Sequence, residues 1–230
     1  MENIICLGSP ACRAGTVLKQ YNNYNIYFID DEGRKRKGFY KTEKRNFPEQ
    51  HEELYDFGID SFLKGVKKSA TMIVCGSSMV SGAALRVLEG LSQRCPSLSI
   101  IYIRPQVELL SETKRLQERA VYSVLQQYAR SGVFSKMYIM ANEQIESFLP
   151  DVTISEHYAK INEVMMTTYH MINIFKNSKS VVDTFSDPRP SSRICTLFVF
   201  DPESDKELSE KKFFLLDNLV ETRYYYGIPE

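Results

Sequence analysis

The sequence predicts an α/β protein: a doubly wound, mostly parallel sheet with a long central helix. Three observations lead there. Apolar runs of strand length alternate with amphipathic segments, as at Ile4 to Leu7, Ile26 to Ile29, Met72 to Val74, Leu98 to Ile103 and Met137 to Met140. Each run stops in a short polar or small-residue loop, the pattern of parallel strands whose ligand loops gather at their C-terminal ends. A later segment keeps helical spacing longer than any other, through Tyr158, Ile161, Met165, Thr168, Ile172 and Phe175.

Composition narrows the class. The chain has 230 residues, 43% of them apolar and 25% charged, ordinary values for a domain with a sizeable core. Lys and Arg together number 29, and so do Asp and Glu. That balance removes any global electrostatic case for nucleic acid or an anionic membrane. The basic run Arg34-Lys35-Arg36-Lys37 reads as a solvated loop. Five scattered cysteines form no Cys-x-x-Cys pair. No zinc site is therefore expected, no residue is assigned to a metal, and the compartment is expected to be reducing and cytoplasmic. The first strand starts at Asn3, so no signal peptide is expected, and no apolar run approaches the roughly 20 residues that span a bilayer.

In chain order, the first strand ends in Gly8-Ser9-Pro10-Ala11-Cys12-Arg13-Ala14-Gly15, with a helix through Leu18. The second ends in Asp30-Asp31-Glu32, where an acid can reach a ribose or a metal. Residues 33 to 56, polar and carrying Pro48, are expected to form a long surface loop. Ile59, Phe62, Leu63 and Val66 keep helical spacing ahead of the third strand. That strand runs into Gly76, Ser77, Ser78, Ser81 and Gly82, and a helix from about Gly82 to Gln93 presents Leu85, Leu88 and Leu91. So small a turn either brings backbone N–H groups to an anion at a helix N-terminus or lets helix and strand pack closely. Neither a Lys-Ser/Thr phosphate loop nor the Gly-x-Gly-x-x-Gly fingerprint is present, which weighs against a Rossmann dehydrogenase.

After the fourth strand, Ser111 caps a helix with a buried face of Leu116, Ala120, Val121, Val124, Leu125 and Tyr128, ended by Gly132. Thr153-x-x-Glu156 is a capping box for the long helix, about 155–176, whose several apolar faces place it between layers. A breaker-rich link holding Asp183 and Asp187 leads to a strand from Ile194 to Phe200. The tail carries Phe213, Phe214, Tyr224, Tyr225 and Tyr226, which cap the core or dock on a partner protein.

In order and spacing these pieces resemble the GTPase domain of the tubulin/FtsZ superfamily, in a short, divergent form of the kind phages and plasmids encode. Gly8 to Gly15 is similar in length and end glycines to the family's first nucleotide loop. Gly76, Ser81, Gly82, Ala83 and Ala84 match the Gly-Gly-Gly-Thr-Gly-Ser/Thr-Gly signature, while Ser77, Ser78, Met79 and Val80 replace its other glycines and its threonine. Arg104-Pro105 and Lys114-Arg115 resemble the loop and helix start after the family's fourth strand. Asn142 stands where the family reaches ribose and base. Tyr158 and Asn162, one helical turn apart, match an aromatic that stacks on guanine and an amide that bonds its edge.

By that resemblance, residues 1–176 form a nucleotide-binding, GTPase-like domain, and residues 177–230 a linker loop and a C-terminal segment too short for the family's second domain. It implies GTP or GDP, with Mg²⁺, bound through Gly8, Gly15, Gly76, Ser77, Ser81, Gly82, Asn142, Tyr158 and Asn162, and head-to-tail self-association into filaments. It implies also that Asp183 and Asp187 reach the nucleotide of a neighbouring subunit, as the family's acids do in hydrolysing GTP. Their spacing is one residue wider than the family's Asp-x-x-Asp and the phosphate signature is altered, so hydrolysis is expected to be weak or absent. The alternative is a degenerate tubulin-fold structural or adaptor protein that neither hydrolyses nor polymerises.

Overall fold

In the computed structural model, which describes residues 1–34, 36–149, 153, 155–177, 192–201 and 210–225, β1 (Glu2–Leu7) lies inside a parallel sheet. Its alternate residues face opposite ways: Ile5 and Leu7 enter one apolar layer, Ile4 and Cys6 the other, and all four are fully buried. To one side of it stand β2 (Tyr24–Asp30) and β3 (Phe39–Lys41). To the other stand β4 (Ser69–Cys75), β5 (Ser97–Arg104), β6 (Lys136–Ala141) and β7 (Ile194–Cys195). The spatial order is β3-β2-β1-β4-β5-β6-β7, and every pairing is parallel. Chain direction across the sheet therefore reverses between β1 and β4, where open α/β sheets form a crevice at their strand C-terminal ends.

Among the described residues seven α-helices occur, in order α1 (Ser9–Val17), α2 (Glu49–Glu53), α3 (Gly58–Phe62), α4 (Ala84–Ser92), α5 (Glu112–Ser131), α6 (Asn142–Glu146) and α7 (His157–Asn177). One face of the sheet is covered by α1, α6 and α7 through Ala11, Ala14, Ile145, Ile161, Met165 and Met166. The other is covered by α3, α4 and α5 through Ile59, Val87, Leu88, Leu91, Leu125 and Ala129. Gly132 closes α5 in the left-handed conformation (φ 79°), its N–H bonding the Ala129 carbonyl and the Val133 N–H that of Tyr128.

Several expectations change. Residues 33–56 are not loop throughout, because Phe39 pairs in register with Phe28 and is 8% exposed, which draws β3 into the sheet, and α2 follows. A 3₁₀ turn, Met79–Ala83, precedes α4. The first half of α5 buries Gln117 and Glu118, leaving Leu116 62% exposed, because Gln117 meets the Ser78 carbonyl of the central turn and Glu118 the Tyr102 hydroxyl of β5. Ser111 precedes α5 without a side-chain cap bond. The run from Ile194 to Phe200 splits: β7 joins the sheet, and β8 (Phe198–Val199) pairs antiparallel with β9 (Lys211–Lys212). α7 is buried on one side only, with Met171 61% exposed on another. Packing accounts for the tail aromatics: Phe213 stacks on Phe148, Phe214 lies under Arg104, Tyr224 meets Phe198 and Phe200, and Tyr225 meets Phe175. Tyr226 lies outside the described residues. Among the described residues no helix is long and apolar enough to cross a membrane.

Candidate functional site

The C-terminal ends of β1, β2, β4 and β6 bring the candidate residues to one edge of the sheet. Gly8 ends β1 and opens α1 at φ 85°, a conformation that needs glycine, and a Cβ there would lie 2.0 Å from Ser78 Oγ. The first loop and the central turn therefore touch. Ser9 Oγ donates to Asp30 Oδ2 at 2.5 Å, and the Asp31 N–H donates to Asp30 Oδ1 at 3.1 Å. Burial raises the Asp30 pKa, against the Ser9 bond that lowers it. The acid at the end of β2 is thus spent within the protein. Gly15 sits inside α1, not in a loop: a Cβ would stand 2.2 Å from Cys6 Sγ, so its smallness serves helix–strand contact.

The central turn is closed by the chain's own groups. Ser81 Oγ donates to the carbonyls of Gly76 (3.0 Å) and Ser78 (2.6 Å). Gln117 Nε2 comes in from α5 to the Ser78 carbonyl at 2.6 Å and to Ser81 Oγ at 3.1 Å. A Cβ on Gly76 would meet Tyr102 Oη at 2.2 Å, and one on Gly82 would meet the Pro48 carbonyl oxygen at 1.9 Å. Ser77, half-buried, has its hydroxyl 3.4 Å from Cys75 Sγ. Burial pushes the Cys75 thiol up; the Ser77 hydrogen bonds and the nearby Arg13 guanidinium act the other way. Arg13 is exposed on α1 and close enough to act electrostatically on Cys75.

At the other end, Asn142 opens α6, and its Oδ1 is buried with no hydrogen-bond donor among the described residues. His157 Nε2 stands 3.4 Å from Glu146 Oε1 and ties α7 to α6. Next along α7, Tyr158 is 58% exposed, its ring edge-on to His157 at 5.3 Å, and Asn162 is half-buried. Asn142 on α6 offers an unmatched acceptor, and Tyr158 and Asn162 on α7 offer an exposed aromatic ring and an amide one turn apart, a set whose chemistry suits a nucleobase. The central turn suits a phosphate less well, because Ser81 and Gly82 already face protein atoms. Asp183 and Asp187 lie outside the described residues.

Sequence reasoning missed Gln117, Glu118 and His51. Glu118 lies seven residues before Leu125 and eleven before Ala129, so helical spacing extended backward would have placed it inside. No sequence signal marks His51.

Solved structures share this architecture. CetZ from Methanosaeta thermophila matches with a TM-score of 0.60 at 11% identity, over 79% of this chain and 56% of CetZ. An empty FtsZ dimer from M. jannaschii gives 0.62 at 11% identity, over 79% of this chain and 57% of that one. A mutant FtsZ from the same organism gives 0.59 at 12% identity, over 79% and 58%. The chain thus spans little more than half the length of these structures. No family model and no curated protein sequence matches it. With its parallel sheet, its crossing between β1 and β4 and its long α7, the chain has the fold of the tubulin/FtsZ GTPase domain.

Proposed function

We propose that this chain binds a guanine nucleotide at the C-terminal edge of its sheet, that copies associate head to tail in the cytoplasm, and that GTP hydrolysis is weak or absent. One observation carries the reading: the buried, unmatched Asn142 Oδ1 at the end of β6. An acceptor left in that state costs about 1–3 kcal/mol. Ribose hydroxyls and the ring N–H and amino groups of guanine are donors that relieve it. Tyr158 supplies a stacking face and Asn162 an amide on the helix that packs against α6. At the far end, the N-terminus of α1 and Arg13 favour anionic phosphates. Mg²⁺, when bound, neutralises phosphate charge. The five free thiols accord with a reducing compartment.

The closed central turn favours a second reading, a structural or adaptor protein that keeps the fold as scaffold. The two separate by direct measurement. Purified protein is denatured, and the released small molecules are resolved by chromatography. Wild type and Tyr158→Ala are then titrated with GDP, GTP and ATP. Bound guanine nucleotide and a loss of about 1–3 kcal/mol in Tyr158→Ala are expected if the ring stacks on a base. No released nucleotide, and no affinity for any of the three in either protein, would put the scaffold reading in front.

A further inference from the structure

His51 is the one side chain that α2 buries, and it is 4% exposed. Its Nε2 is buried and has no hydrogen-bond partner among the described residues. The other two histidines are accounted for: His157 faces Glu146, while His170 Nδ1 lies 2.9 Å from the Tyr24 hydroxyl and its ring stacks on Tyr21 at 3.5 Å. α2 packs on the Met79–Ala83 turn and on α4, which puts its buried side chain in the element beside the central turn and within electrostatic reach of Asp31 at the end of β2. The residues before it make the same approach. The Pro48 carbonyl oxygen that abuts Gly82 also accepts the His51 N–H at 3.0 Å. Otherwise this strap is lightly held: Gln50 Oε1 accepts the Asn46 and Phe47 N–H groups, Arg45 reaches the Leu54 carbonyl, and Phe47 and Leu54 are 59% and 55% exposed.

Among the described residues two charged groups act on the imidazole: Asp31, at the end of β2, favours its protonated form, and Arg45 opposes it. Burial is the largest influence and lowers its pKa. The turn from Met79 to Ala83 carries no titratable side chain, Arg86 and Glu89 of α4 pair with each other at 3.4 Å, and Glu49, Glu52 and Glu53 of α2 are exposed or half-buried.

We propose that His51 is an anion-binding residue of the nucleotide site: its imidazole gives a phosphate oxygen the hydrogen bond it lacks within the protein, and it takes up a proton as the anion arrives. This rests on the nucleotide reading above. A phosphate beside a buried imidazole provides the opposite charge that favours imidazolium. By linkage, an anion that raises the pKa of His51 binds more tightly as pH falls.

The test titrates wild type and His51→Gln with GDP and with guanosine from about pH 5.5 to about pH 8. The expected result is that GDP affinity in wild type, relative to His51→Gln, rises as pH falls, by up to about tenfold per pH unit for one coupled proton. Guanosine, which has no phosphate, binds both proteins alike. The phosphate's own ionisation near pH 6 affects both proteins equally, so the ratio isolates the imidazole. Should His51→Gln fail to fold, the ring resonances of isotope-labelled wild type serve instead. GDP, and not guanosine, should shift one histidine toward imidazolium at fixed pH. Identical GDP profiles in the two proteins, or a ring that stays neutral, overturn the inference and leave the nucleotide reading intact. Wild type that binds neither GDP nor guanosine at any pH sinks both.

Discussion

Glu118 is a carboxyl group only 3% exposed, with the Tyr102 hydroxyl donating to it at 3.1 Å and Arg104 Nε at 3.7 Å. Burial raises its pKa, while Arg104 and the Tyr102 bond pull it down. A carboxyl with a higher pKa in the folded than the unfolded state binds its proton better when native. Its contribution is therefore present at low pH and lost as pH rises from the unfolded pKa through the folded one. Glu118→Gln is expected to melt at a higher temperature than wild type at neutral pH, with the gap narrowing as pH falls to where the wild-type carboxyl is protonated. Thermal melts at both ends of that window check it, and a lower melting temperature at neutral pH would mean the Arg104 pairing outweighs burial. At this scale the sequence was only half legible. Asn142, Tyr158 and Asn162 stand out in the sequence through the resemblance to the tubulin/FtsZ pattern. Gln117 and His51 do not, because what matters about them is whom they meet across a fold.

Among elements, α1 makes one especially close approach to the sheet. The absent side chain of Gly15 is replaced by Cys6 Sγ of β1, 2.2 Å from where a Cβ would stand. Gly15→Ala is expected to cost about 1–3 kcal/mol by overpacking, and Cys6→Ala in the same chain to recover most of it. Urea unfolding of the two single variants and the double variant measures the coupling. Strictly additive effects would show that helix and strand separate instead. The helices of the alternating pattern were legible because their apolar periodicity is set locally. β3 was not, since three residues in a polar stretch carry no period, and only Phe39 against Phe28 makes them a strand. Nor was the polar start of α5, where the apolar stripe gives way to groups that bind the central turn.

For the whole molecule, the parallel order and long α7 follow from the alternation read in the sequence, and the solved folds agree. Chemistry does not follow so directly. The central turn has its serine hydroxyl tied to two carbonyls, and the family-like acids are spaced one residue too widely. Displacing an attacking water by about 1 Å can cost on the order of 10²-fold in rate. Phosphate release from GTP is therefore expected to stay near background across a protein-concentration series. A steep, cooperative rise that vanishes in Asp183→Ala or Asp187→Ala would establish a working, assembly-dependent GTPase.

The sheet is long in its middle and short at its borders: eight residues in β5 and seven in β4, against three in β3 and two in β7. Local openings follow that gradient, so amide exchange should be slowest around Ile73 and Ile101 and fastest at β3 and β7. Equal protection across the strands would contradict it. So short a border also presents few unpaired backbone groups for a stray strand to copy. Growth by adding strands at the sides is thereby disfavoured, and copies that join are left to do so through their loops and helices.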